Sequence, residues 1–256
     1  MIQTIAPALK CLLDQLIDYA GLYPPAQLSL EAALANYESY RAGEHAWMLR
    51  YFVVGAAELD RVPRSLDGYL SVLAQTDEPR SACIETNSIV KVQRSSYCEI
   101  ATDNLDQLNA VKEAGAFAKI RCGGVKPEAI PACENVAAFI RACAQRRLPF
   151  KATAGLHHPI RAQQALTYEN AAPRAVMHGF VNVLMAAAFA WHGEKEIEPI
   201  IADGDAQSFR FDERAHWRDK SLSLPELKDA RANFMHAIGS CSFEEPISDL
   251  KSLGWL

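Results

Sequence analysis

Two runs decide how this chain is to be read: FAKIRCGG at 117–124 and PFKATAGLHHP at 149–159, separated by a helical stretch at 127–147. Each opens as a short apolar strand, and each carries a lysine, Lys119 or Lys151, where a buried strand ordinarily carries an aliphatic residue. Successive side chains of a strand point to opposite faces. Lys119 and Arg121 therefore oppose Ala118, Ile120 and Cys122, while Lys151 and Thr153 oppose Phe150, Ala152 and Ala154.

The same alternation recurs upstream. In 83–87 Glu85 and Asn87 share one parity, with Ile84 and Thr86 on the other; in 97–101 Glu99 opposes Cys98 and Ile100. Helical patterns separate these runs: 103–115 opened by Asp103, and 127–147 with Glu128 and Glu134 early and Arg141, Arg146 and Arg147 late, as the helix dipole prefers. Further strands are expected at 46–54, 81–87, 208–212 and 234–241, with 89–92 either continuing its neighbour or standing alone. Helices are expected at 7–19, from Ser29 to about Arg41, at 66–75, at 176–192 and from Glu245 to the end, and 194–225 is the least legible region. Strands alternating with helices imply βα units and a parallel sheet. For 256 residues in one domain this favours an α/β fold of the (β/α)8 (TIM-like) barrel type over 1–256, whole, incomplete or distorted, ahead of an open doubly wound sheet. Residues 1–43 are expected to be an N-terminal helical pair packed on that barrel.

One parity of a barrel strand faces the interior. The polar parity would then place Glu85, Asn87, Glu99, Lys119, Arg121, Lys151 and Thr153 inside; the rival reading sets these strands at edges with the polar face in solvent. Unpaired buried charges are costly, so an interleaved charged interior is a pattern that active sites accept and structural cores avoid. Lys119 and Lys151 lie on consecutive strands, about 5 Å apart if adjacent. A second ammonium that close lowers the pKa of its neighbour, and a free amine of that kind forms Schiff bases with carbonyl compounds.

KATAG at 151–155 resembles the K-[TS]-[ST]-T-G strand of the deoxyribose-phosphate aldolases and related class I aldolases, and KIRCGG at 119–124 resembles their second lysine strand. The resemblance implies a barrel in which Lys151 forms the imine, Lys119 lowers its pKa, and Gly123 and Gly124 make a phosphate-binding backbone turn.

His157 and His158 follow the strand bearing Lys151, at the end where barrel active sites lie, as candidate acids, bases or metal ligands. Glu85, Glu99, His178 or Cys122 would have to complete a metal site, because no HxH or HExxH spacing is present. His178 and Asn182 flank Gly179 at a helix start, which reads either as an anion site or as a satisfied core histidine. Cys241 ends the last strand and is a candidate substrate contact or nucleophile. DYAGLYPPA at 18–26 is either a connection packed on the core or a cap over a ligand.

A net charge of -5 with no basic block argues against nucleic acid or a membrane surface as partner. Seven scattered cysteines without a CxxC pair read as reduced thiols of a cytoplasmic protein. The N-terminus lacks a signal-peptide pattern, and the uncharged run at 176–191 is too short to span a bilayer. There is no GxGxxG and no P-loop, so no cofactor is expected, and homo-oligomerisation is left open. The expectation is a lyase or aldolase-like enzyme acting on a small carbonyl, anionic or phosphorylated substrate through a lysine Schiff base. Glu85, Glu99 and His157 or His158 would handle protons, and Arg121, Gly123, Gly124, Asn87, Thr153 and Cys241 would contact substrate. The alternatives are a divalent-metal hydrolase or lyase using His157 or His158 with a carboxylate, and a non-catalytic anion-binding barrel.

Overall fold

The computed structural model describes residues 5–256. The chain begins with helix α1 (Pro7–Leu13) and strand β1 (Ile17–Tyr19), then α2 (Leu30–Ala42), β2 (Leu49–Gly55), β3 (Leu70–Leu73), β4 (Cys83–Thr86) and β5 (Ser96–Glu99). Helix α3 (Gln107–Glu113) leads to β6 (Phe117–Arg121), and α4 (Cys133–Arg146) leads to β7 (Phe150–Thr153). A long excursion follows: hairpin β8 (Ala162–Ala165) and β9 (Arg174–Met177), helices α5 (Phe180–Trp191) and α6 (Glu198–Ala202), and a three-stranded antiparallel sheet of β10 (Phe209–Phe211), β11 (Arg214–Trp217) and β12 (Lys220–Ser223). Helix α7 (Leu224–Asn233), β13 (Met235–Ser240) and α8 (Glu244–Ser252) complete the chain.

Strands β1 to β7 and β13 pair in parallel and close into an eight-stranded ring, with β13 between β7 and β1. The barrel expected from the alternating pattern is therefore whole. Its apolar parity packs outward: Phe150 meets Phe139 of α4 edge-on at 5.5 Å and Phe234 at 5.0 Å. Helix α5 is buried on every face between α4, α6 and α7, which explains a sequence, FVNVLMAAAFAW, with no polar stripe. No helix among the described residues is long and apolar enough to cross a membrane.

Several elements differ from expectation. The helix expected at 7–19 ends at Leu13; Gln15 takes a left-handed φ of 44°, and 17–19 is extended as the first barrel strand. Between the two N-terminal helices, α1 and α2, the segment therefore also supplies a strand of the ring. Leu16 and Ile17 continue a helical spacing, but pairing with β13 and β2 satisfies the backbone in strand form. The expected helix at 66–75 is strand β3, since Gly68 at φ 83° interrupts any helix and Leu70 and Val72 are the buried alternation. Residues 89–92 form no strand. The buried helix starts at Phe180, after β9, with Gly179 as its N-cap. The expected strand at 208–212 exists as β10 but lies outside the barrel. The reading that no signal peptide is present begins on residues 1–4, which lie outside the described residues.

Candidate active site

Strand register sets the interior charges at one level: Glu99 is the Cα partner of Lys119, and Lys119 of Lys151. Their side chains meet Glu85 and one residue that sequence reasoning passed over, Asp18 of β1. Lys151 Nζ donates to Asp18 Oδ2 at 2.5 Å and to Glu85 Oε1 at 2.7 Å. Lys119 Nζ lies 3.3 Å from Glu85 Oε2 and 3.1 Å from Glu99 Oε2. The result is an alternating chain, Asp18, Lys151, Glu85, Lys119, Glu99, extended at the Asp18 end by Arg50 at 3.5 Å. Three carboxylates face three cations, so the buried charge is balanced, as burial requires.

Strand parity sets Glu85, Glu99, Lys119 and Lys151 on one inward face, and the structure brings them together. The surroundings of Lys151 differ from those expected of it. The two ammonium groups are separated by Glu85, one on each of its oxygens. Burial alone would favour a neutral Lys151, but the Asp18 and Glu85 carboxylates outweigh it and hold the amine above the ordinary lysine range. Glu85, which burial would push up, is drawn down to about 2 by Lys151 and then Lys119. Lys151 is therefore not a free amine with a lowered pKa, as expected of the imine-forming residue. It is also fully buried, 0% exposed, and does not line the cavity above it.

That cavity, about 440 Å³, opens at the C-terminal mouth of the barrel. Lys119 is the one lysine in its wall, beside Glu85, Arg121 and Thr153. The Arg121 guanidinium makes no hydrogen bond or ion pair with any described residue, and Arg174 of β9 reaches the cavity with only a backbone contact to Gln163. Gly124 and Gly155 line the wall as well, and their N–H groups donate to no acceptor among the described residues. Gly155 has a φ of 71°, and a Cβ there would sit 2.9 Å from the Gly123 Cα, so β6 and β7 approach as closely as they do only because both residues are glycine. Gly123 itself supports this turn without lining the cavity. Ala154, at φ 59°, marks the same turn as strained.

The rim is built from loops. Tyr23, Pro24 and Pro25 line the cavity, so the stretch at 18–26 forms part of its rim while also supplying β1. His157 and His158 both reach the cavity. Ser240 donates to the Ser242 carbonyl, so the 2.9 Å contact between His157 Nδ1 and Ser240 Oγ assigns the proton to Nδ1 and leaves Nε2 as an acceptor. Burial, with His158 alongside, draws the His157 pKa down to about 4, so the ring is neutral near pH 7. Cys241 lies 3.9 Å from that ring, but burial pushes its thiol up to about 11, which does not suit a thiolate nucleophile. Tyr168, on the hairpin, donates to Glu245 at 3.0 Å beside it.

Two expectations fail on geometry, and one open alternative is resolved. Asn87 is exposed and bonded to Gln75, outside the cavity, because β4 ends at Thr86. His158 turns to Asp249 at 2.6 Å while His157 faces Ser240, and among the described residues no three His, Cys, Asp or Glu side chains are grouped to hold a metal ion, which leaves the metal reading without a ligand set. His178 donates through Nε2 to the Pro131 carbonyl at 2.8 Å, and Asn182 is saturated by Ile200, Asp203 and Arg161, so both are core residues rather than an anion site.

Sequence reasoning missed Asp18 and Arg50, and with them Tyr97, whose hydroxyl lies 3.4 Å from the Arg50 guanidinium and 2.8 Å from His236 Nδ1. Tyr97 shared the parity of Glu99 and was available to the same argument; Asp18 was hidden by the helical reading of 7–19. No family model matches the chain, and no curated protein matches it.

Proposed function

We propose that this chain is a Schiff-base lyase of the aldolase kind, acting on a small anionic carbonyl compound, with Lys119 as the amine that bonds to substrate. The observation that carries the proposal is that Lys119 alone among the lysines lines the cavity, between two carboxylates and two residues from an unpaired Arg121. In this reading Lys119 gives a proton to Glu99, the more exposed of its two carboxylates, and its lone pair attacks the carbonyl carbon. Glu99 returns its proton to the carbinolamine hydroxyl, water leaves and an iminium remains; the bond between the α and β carbons then breaks, its electron pair passing to the iminium to form an enamine. Neutral His157 Nε2, at the rim, takes the proton of the β-hydroxyl as that oxygen becomes the carbonyl of the departing fragment, then returns it to the enamine carbon, and water releases Lys119. Arg121, Arg174 and the free N–H groups of Gly124 and Gly155 hold the anionic end. Lys151 keeps Glu85 ionised and in place. Seven unpaired thiols suit a reducing compartment such as the cytoplasm.

The test is reduction with borohydride in the presence of pyruvate, dihydroxyacetone phosphate and a panel of short aldehydes, followed by peptide mapping. A reduced adduct on Lys119 is expected. An adduct on Lys151 overturns the assignment of the lysine, and an adduct on neither overturns the imine chemistry.

A further inference from the structure

The opposite end of the barrel holds a larger cavity, about 1030 Å³, that the chemistry above does not use. Its wall carries four permanent cations, Lys10, Arg50, Lys228 and Arg231, against a single acid, Asp14. Of the four, only Arg50 has a carboxylate partner among the described residues, Asp18 at 3.5 Å. Arg231 spends its terminal nitrogens on the backbone carbonyls of Met235 and Asp14, and its Nε is a buried donor with no partner. A buried donor left unsatisfied on a cation is costly, and sites of this kind are completed by water or an ion. Burial and the nearby Arg50 lower the Arg231 pKa to about 10, against the opposing pull of Asp14. The wall also carries aromatic rings, Tyr51, Tyr97 and Phe117, the last two 5.3 Å apart, with His236 beside them.

We propose that the N-terminal mouth of the barrel is a second binding site, for a small organic anion bearing a phosphate or carboxylate group. The anionic head sits between Arg231 and Arg50, with Lys10 and Lys228 at the entrance, and the body of the ligand lies on the aromatic wall. The volume suits a molecule of that size. The site lies one side chain from the buried charge chain, since Arg50 and Lys151 share Asp18 Oδ2 and Arg50 also donates to the Tyr97 hydroxyl at 3.4 Å.

The test separates the two ends of the barrel. Arg121→Gln protein, in which the upper anion site is weakened, is titrated calorimetrically with inorganic phosphate and, separately, with benzoate. Saturable binding of at least one probe is expected, weakened about tenfold or more by adding Arg231→Gln, and likewise by adding Lys228→Glu, as loss of a charge-assisted contact implies. Lys228 is exposed, so its variant decides the matter should the Arg231 variant not fold. Absence of saturable binding in the Arg121→Gln protein for both probes overturns the proposal, as does binding that Lys228→Glu and every folded Arg231 variant leave unchanged.

Discussion

Lys119 and Lys151 have the same side chain, neighbouring strands and a shared carboxylate, yet their environments divide the work between them. Lys151 is enclosed by Asp18 and Glu85, while Lys119 reaches the cavity wall. Removing one member of a buried ion pair strands the others, at about 3–5 kcal/mol. Lys151→Met is therefore expected to lower unfolding free energy by about that amount, read from urea midpoints at constant slope. Lys119→Met should cost less, because Glu85 retains Lys151 and Glu99 is part exposed, but it should abolish the borohydride adduct. Equal destabilisation by the two variants would contradict the division drawn here.

The β6 and β7 strands act as a unit because the turns that follow them touch. Gly155 combines a left-handed φ with a position so near the Gly123 backbone that an added Cβ would sit 2.9 Å from the Gly123 Cα. Gly155→Ala then meets both the left-handed penalty, roughly 1–2 kcal/mol, and overpacking, roughly 1–3 kcal/mol. The expected loss is about 2–4 kcal/mol, measured by chemical denaturation, and on the proposed function inorganic phosphate should bind the same variant more weakly in a titration. A neutral result would mean that the two turns separate freely. The elements themselves were legible to different degrees. Strands β4 to β7 declared themselves by alternation, because apolar residues on one parity met helices. Strands β1 and β3 did not, since at three and four residues their apolar positions also fit a helical spacing, and only pairing across the ring selects between the two.

The whole molecule carries its buried titratable groups in forms that make its stability depend on pH. His157 and His236 are both held near a pKa of 4 by burial, in His236 with Arg50 adding to it. Below the unfolded histidine value, about 6.5, the unfolded chain takes up protons that the folded one refuses, so stability falls from there down to pH 4 and then levels for these groups. Glu85 acts in the same sense at lower pH: its folded pKa is depressed to about 2, so its contribution is complete above the unfolded carboxylate value, about 4.3, and is lost as the pH falls toward 2. Urea midpoints should be flat above pH 7, decline between about 6.5 and 4, and decline further below about 4.3; His157→Asn should flatten the first limb, and a midpoint constant through that range would contradict the burial of neutral histidine. The sequence by itself determined the inward polar face, because strand alternation is local: Glu85, Glu99, Lys119 and Lys151 could be grouped from parity alone. Only the tertiary structure decided which lysine is enclosed, since closure of the ring brings Asp18 of the first strand to Lys151 across β13. A pKa answers to charges within a few ångströms, and those charges come from strands more than a hundred residues apart in the chain.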